Sequence, residues 1–458
     1  MSDAEEVKVS LKVMMNKQKS KVLFAESDSD FVDILLSFLT LPLGRTVKVL
    51  EKHYGDEAPT IGSLNNLYRS LANLDSSHFV TEGAKQTLLD SASSFEDKYK
   101  MLKVDISDSP PAEYFVCSSC ANRRLRCDSI YYDSISCYYC EDTMSKEVVE
   151  KSCEADGPSD GVFTKHTSSF LISNDLHILP KNARFLTTVG ILGITVTDMD
   201  NAVSIKVDFG ISEIMKLLKA SLMSPTPLSD LILNKSTTLM NNSTPVVESR
   251  SNHSSRYFSL KVMIQKSTGK LLYAQTNEDF VEFLFNLLSI PLGRVEHLLI
   301  LSSDNMCFKA INNLYRSTTN LIDAKHFKNG DVKDRLRLPM LLHGCMSSNL
   351  IILGSVAEVY YRDRKYSSVK FPKGKGIYLQ KSQSYLVKDD LTVVPYCFVT
   401  ILSSLREQKI PISDVEEVQL KIESKETLSI LKASLTSTTV LSDALLSLLP
   451  KKQPKREL

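Results

Sequence analysis

The stretch Ser10-Leu-Lys-Val-Met14, followed by Leu23, Ala25, Asp30-Phe-Val32 and Pro42-Leu-Gly-Arg45, is present twice in the chain. It returns as Ser259-Leu-Lys-Val-Met263, Leu272, Ala274, Asp279-Phe-Val281 and Pro291-Leu-Gly-Arg294, at a constant offset of 249 and without a gap. Eighteen of the 36 aligned positions are identical. Self-similarity on this scale sets the expected architecture, because one sequence pattern used twice implies one structural unit used twice. The match extends outward. Asn65-Asn-Leu-Tyr-Arg-Ser70 returns as Asn312 to Ser317, and His78-Phe79 as His326-Phe327. Phe170 to Pro180 returns as Tyr385 to Pro395, Leu218 to Leu222 as Leu431 to Leu435, and Leu228-Ser-Asp230 as Leu441-Ser-Asp443.

Within one copy, Leu11–Val13 and Val22–Phe24 are short strand patterns around the polar stretch Asn16–Ser20, which predicts a hairpin. Asp28 or Ser29 caps a helix whose Phe31, Ile34, Leu35, Phe38 and Leu39 fall at helical spacing, and Pro42 ends it. Two further helices are predicted over 47–52 and 64–74. Val203, Ile205 and Val207 alternate as a strand ahead of a helix from Ile211 to Leu222, an order repeated at Val418, Leu420, Ile422 and Leu428 to Leu435. The Pro-Leu-Gly-Arg corners read as a helix stop, a turn permitted by glycine, and an arginine that caps or pairs. The expected fold class is α+β, a tandem duplication of one hairpin-plus-helices module. Its expected limits are residues 7–234 and 257–449, joined by a polar linker over 235–256 and followed by a basic tail over 450–458.

The copies differ in one spacing. His78 to Phe170 is 92 residues and His326 to Tyr385 is 59, a surplus of 33 in the first copy. Six of the nine cysteines lie in that region, between Cys117 and Cys153. Cys117-Ser-Ser-Cys120 and Cys137-Tyr-Tyr-Cys140, separated by sixteen residues, fit a two-knuckle tetrathiolate zinc site. Two residues between cysteines let both sulfurs of a knuckle face one ion, and a ribbon returns the second pair to its far side. Four thiolates close the shell, so the expected role of the Zn2+, one per chain, is to hold a zinc-ribbon-like insertion over about 113–160 rather than to catalyse. Cys127 is a rival ligand by position, Cys153 is disfavoured by spacing, and a disulfide or an iron–sulfur cluster would use the same residues. Arg123, Arg124 and Arg126 in the loop offset the negative tetrathiolate or, on the alternative reading, touch nucleic acid. The scattered Cys307, Cys345 and Cys397 read as core packing.

Bulk properties exclude several classes. Fifty-five basic and 54 acidic residues among 458 leave a net charge of +1, so no global field draws the chain to nucleic acid or an anionic membrane. The longest apolar runs, Ile34–Leu43 and Phe283–Leu292, are about ten residues against the roughly 20 that a membrane span needs. The opening residues lack the basic and apolar regions of a secretory signal, so the expected location is cytoplasmic or nuclear. Gly157-Pro-Ser159-Asp-Gly161 satisfies the letters of a nucleophile elbow, but the polar flank Lys151–Asp156 stands where a buried strand is required. Lys373-Gly-Lys375-Gly376 lacks the spacing and hydroxyl residue of a phosphate loop. His78 and His326, each about ten residues after a Tyr-Arg pair, could form a catalytic dyad or could serve the fold that both copies share.

Taken with Leu23–Glu26, Asp30–Asp33, Leu39–Gly44, Asn66-Leu-Tyr68 and the two Cys-x-x-Cys pairs, Ser10–Met14 resembles the plant domain-of-unknown-function family 674. The resemblance covers nearly the whole chain. It implies the doubled module and the cysteine knuckles, but no established activity, substrate or catalytic residue. The second knuckle departs from the family's usual proline- and glycine-containing form, having Tyr138, Tyr139 and Glu141. The leading functional expectation is a non-enzymatic binding or scaffolding protein with a protein partner and no membrane. The alternatives are an enzyme with its site in the cleft between copies, near His78 or His326, and nucleic-acid binding through the Cys-rich loop.

Overall fold

The computed structural model describes residues 7–80, 82–108, 161–200, 202–234, 257–301, 307–320, 326–339 and 378–448, with the short stretches 115–116, 119, 128–129, 146–147, 341–342, 349–353 and 359–360. Strand β1 (Val9–Met15) turns Val9, Leu11, Val13 and Met15 inward and Ser10 and Lys12 outward, the period of two expected for a strand with one face on a core. It pairs antiparallel with β2 (Val22–Ser27) across a turn that Asn16 closes by accepting the N–H groups of Ser20 and Lys21 at 2.8 and 3.0 Å. Asp28 caps α1 (Ser29–Phe38), its carboxylate accepting from the N–H groups of Asp30 and Phe31. Helices α2 (Leu43–Tyr54), α3 (Leu64–Asn73), α4 (Glu82–Leu89) and α5 (Glu96–Tyr99) follow.

Three two-residue strands, β3 (Phe115–Val116), β4 (Asp128–Ser129) and β5 (Lys146–Glu147), form a small antiparallel sheet with β3 in the middle. The half then closes with β6 (Phe170–Ser173), β7 (Ile178–Pro180), α6 (Phe185–Leu192), α7 (Val196–Met199), β8 (Val203–Phe209), α8 (Ile211–Met223) and α9 (Pro227–Ile232). Its main sheet is antiparallel, in the order β7-β6-β2-β1-β8.

The C-terminal half runs through β9 (Phe258–Gln265), β10 (Leu271–Asn277), α10 (Glu278–Leu287), α11 (Leu292–Leu301), α12 (Lys309–Asn320) and α13 (Gly330–Arg337). A two-residue parallel pair, β11 (Leu341–Leu342) and β12 (Val359–Tyr360), precedes β13 (Ser384–Lys388), β14 (Val393–Pro395), α14 (Phe398–Glu407), β15 (Val415–Ile422), α15 (Ser424–Thr436) and α16 (Val440–Leu445). Its sheet is antiparallel in the order β14-β13-β10-β9-β15, position for position that of the N-terminal half. Even the register agrees: Val13 faces Ala25, and Val262 faces Ala274 at the same offset of 249.

The mixed α+β class is therefore as expected, but the hairpin read from the sequence is two strands of five. The second hairpin, β6–β7, escapes a search for alternation because all four residues of β6 are buried. Each sheet packs one face on the core, and a helix covers part of the other face. Helix α6 sets Leu192 on the outer side of Leu23, Phe24, Leu171 and Leu179, and α14 sets Ile401 and Leu405 on Leu272, Tyr273 and Leu386. The inner faces and the remaining helices share one continuous apolar cluster drawn from both halves. Phe31, Phe38, Phe280 and Phe283 are fully buried in it, each worth about 1.5–3 kcal/mol of burial.

Candidate functional site

The residues that recur between the halves meet at the seam between them. Pro42 and Pro291 form a bridge, and around them four backbone bonds cross in matched directions. Gly44 N–H donates to Leu288 O and Gly293 N–H to Leu39 O, both at 2.7 Å; Leu43 N–H donates to Ile290 O and Leu292 N–H to Leu41 O, both at 3.0 Å. Each second helix thus gives its unsatisfied first-turn donors to carbonyls of the link that follows the other half's first helix. The corner glycines are not turn residues, since neither has a positive φ. They admit close approach: a Cβ on Gly44 would lie 3.1 Å from Leu288 Cβ, and one on Gly293 would lie 2.9 Å from Pro339 Cγ and 3.0 Å from Leu39 O. Arg45 does not cap the corner either. It is buried and pairs with Glu96 at 2.5 Å, tying α2 to the segment after α4.

The repeated Asn-Asn-Leu-Tyr-Arg-Ser motif works across the same seam. Asn66 donates to Asp390 O and Ser70 Oγ accepts from Val393 N–H, so α3 holds the β13–β14 turn of the other sheet. Asn313 and Ser317 do the same to Asp175 O and Ile178 N–H, so α12 holds the β6–β7 turn. The preceding asparagines face inward, Asn65 to Glu51 at 3.0 Å and Asn312 to Glu296 at 2.9 Å. The two His-Phe pairs complete the exchange. Val80 N–H and His78 O bond Tyr378 O and Gln380 N–H, while His326 O and Lys328 N–H bond Lys165 N–H and Phe163 O.

Two buried carboxylates, at matched positions of the first helices, anchor these crossing strips. Asp33 accepts from the N–H groups of Val162, Phe163 and Thr164 at 2.6, 3.2 and 2.9 Å and from the Thr164 hydroxyl at 2.8 Å. Glu282 accepts from Tyr378 and Leu379 N–H at 3.0 and 3.2 Å. Burial pushes Asp33 up to about 6, with the hydrogen bonds from Thr164, Phe163 and Val162 opposing it. Gly161 makes the turn possible, since a Cβ there would sit 2.2 Å from Thr164 O. The sequence signal was a lone acid on an otherwise apolar helix face; its partners, 129 or more residues away, carried none.

The imagined histidine dyad does not assemble. His78 contacts Tyr385 in the C-terminal sheet, Nδ1 to Oη 3.2 Å, and His326 contacts Ser168 and, in the N-terminal sheet, Phe170. Arg69 instead pairs with Glu51 on its own half at 2.9 Å. A Ser-Asp-His set on the β6–β7 turn, Ser173, Asp175 and His177, is a turn brace: the imidazole faces Asp175, and Ser173 Oγ receives the His177 backbone N–H. Leu228-Ser229 and Leu441-Ser442 dock on the same turns, through Asn174 and Asp389.

Cys117, Cys120, Cys137 and Cys140 lie outside the described residues, as do Cys127, Arg123, Arg124, Arg126, Ser159, Lys373–Gly376, the 235–256 linker and the 450–458 tail. Among the described residues no group of three or more His, Cys, Asp or Glu side chains is arranged to hold a metal. Of the scattered cysteines, Cys307 is half-buried against the core, but Cys397 is exposed rather than packed, because it caps α14 on the outer surface. No helix among the described residues is long and apolar enough to cross a membrane.

No curated protein and no solved structure matches the chain. The model of the family described as "Protein of unknown function (DUF674)" matches residues 5–370 and 345–458. With both halves and the seam inside that match, the chain belongs to the DUF674 family.

Proposed function

We propose that the chain is a non-enzymatic binding or scaffolding protein, made by duplication of an α+β module, with one structural zinc ion in an insertion on the first copy. The copies are residues 7–234 and 257–449, joined by the 235–256 linker. One observation carries the reading: the polar residues common to both halves, Asn66 and Asn313, Ser70 and Ser317, His78 and His326, are engaged in holding the halves together. Repetition here preserves a joint and not a reaction.

The zinc reading rests on the cysteine spacing and gains support from the small β3–β5 sheet. Cys117 follows β3 directly, and Cys137 and Cys140 fall between β4 and β5 in the chain. A three-stranded ribbon of this kind, too small to bury a core, needs a metal or disulfides to fold. With four thiolates the ion would be a staple with no position open to water. The insertion, about 113–160, is then the feature that distinguishes the copies and the natural place for a protein partner.

Elemental analysis of the purified full chain should give one zinc, absent from Cys117→Ser and from Cys137→Ser. A pull-down comparing the intact chain with one lacking residues 117–140 should lose its specific partner. Metal-free wild-type protein would remove the staple, and identical captures would remove the insertion from the binding surface.

A further inference from the structure

Where the second, third and fourth helices meet, the charge balance differs between the two halves. In the N-terminal half the cations there are matched by carboxylates: Arg45 pairs with Glu96 and Lys48 with Asp90. Tyr68 lies beside these groups, held well above its ordinary range by burial and then by Asp90 and Glu51. In the C-terminal half the corresponding positions read differently. Lys48 becomes His297, Leu89 becomes Arg337 and Asp90 becomes Leu338, while Arg45 and Tyr68 persist as Arg294 and Tyr315. A carboxylate has gone, and the cation at Lys48 is replaced by one at Arg337.

The side chains converge. His297 Nδ1 lies 2.9 Å from Tyr315 Oη, and Arg337 hydrogen-bonds the same phenol. Burial, then Arg294 and Arg337, hold His297 below its ordinary range, so the imidazole is neutral at pH 7. With Arg337 donating to the phenol oxygen, the phenol hydrogen turns to Nδ1 and leaves Nε2–H as a donor. The nearby acid, Glu296, is buried and turned to Asn312 Nδ2. Arg337 and Arg316 are exposed, with no carboxylate paired to either among the described residues, and Arg294, which has a partner of its own, adds its field.

We propose that His297, Tyr315 and Arg337 form a binding site for a soluble phosphate monoester. The guanidinium fork suits two oxygens of a tetrahedral dianion, and the N–H of the half-buried imidazole supplies a third donor. The ligand would supply the negative charge that Asp90 supplies in the other half.

The test uses the full chain and ³¹P line broadening of inorganic phosphate and of O-phosphoserine at pH 7, with sedimentation of phosphatidic-acid vesicles in parallel. Both soluble probes should broaden. Arg337→Leu, the residue of the other half, should weaken binding about tenfold or more, and Leu338→Asp, which keeps every donor but restores the carboxylate, should do likewise. Arg406→Leu, exposed on α14, should change nothing. Melting temperatures of the variants should match wild type. Absence of broadening, or undiminished binding in both Arg337→Leu and Leu338→Asp, would overturn the site. Vesicle binding without O-phosphoserine binding would replace the soluble ligand with a lipid headgroup.

Discussion

Gly44 hands its backbone N–H to the carbonyl of Leu288, and at the matched position Gly293 hands its own to Leu39, at the same 2.7 Å. A side chain at either glycine must push the two halves apart. Gly293→Ala is expected to destabilise by about 1–3 kcal/mol, as overpacking in a closed interior does. Gly44→Ala, with contacts no closer than 3.1 Å, should cost less. Gly190→Ala, in α6 with nothing within 4 Å, should be neutral or gain up to about 1 kcal/mol of helix propensity. Urea unfolding of the three variants checks the order; equal midpoints for all three would show that the seam tolerates separation.

Ser70→Ala and Ser317→Ala strip the acceptor from a buried N–H on the opposite sheet, Val393 and Ile178 respectively. Each should cost about 1–3 kcal/mol, the penalty of an orphaned buried donor. Hydrogen exchange provides the local readout. The Val393 amide should exchange faster in Ser70→Ala and the Ile178 amide in Ser317→Ala, and loss of protection only within the mutated helix would contradict the exchange of α3 and α12.

Burial pushes the Glu296 carboxyl up to about 7, with the Asn312 hydrogen bond and Arg316 opposing. Its folded value lies above its unfolded one, so between about 4.5 and 7 the folded chain holds more protons, and this group's contribution to stability falls as pH rises through that window. Asp33 acts in the same sense over a lower window, ending near 6. Glu296→Gln keeps an acceptor for Asn312 and removes the charge. It should be more stable than wild type at pH 8, by on the order of 2 kcal/mol, and no better at pH 5. A constant difference across that range would mean that Glu296 titrates normally.

On the proposed zinc site, stripping metal with a chelator should release one zinc and raise protease cleavage within 113–160. The main unfolding transition should move by less than about 2 °C, because Asp33 fastens residues 162–164 to α1 independently of the insertion. A large shift would place the metal inside the cooperative core.

The units of each half were legible because their physics is local. Alternation in Val9–Met15 and the Asp28 cap ahead of an apolar helix need no distant partner to be recognised. The recurrence of one sequence pattern pointed to two equivalent sheets for the same reason. Exchange was not legible, since Asn66 and Asp390 are 324 residues apart and no pattern at either end names the other. The Pro-Leu-Gly-Arg corner misled in an instructive way: glycine suggests a turn, whereas Gly44 and Gly293 are wanted for their missing Cβ. His297 carries no signal of its own, because the loss of the balancing carboxylate appears only when Arg337 and Leu338 are laid over Leu89 and Asp90.

The trading of α3 and α12 also orders events on the ribosome. Ile178 must wait for Ser317, made 139 residues later, before its buried N–H is satisfied. At bacterial to eukaryotic synthesis speeds that is roughly 7–30 seconds during which the first sheet stands partly uncovered. A nascent chain arrested between the halves is accordingly a client for chaperones, and a gene cut there encodes not half the protein but an unfinished one.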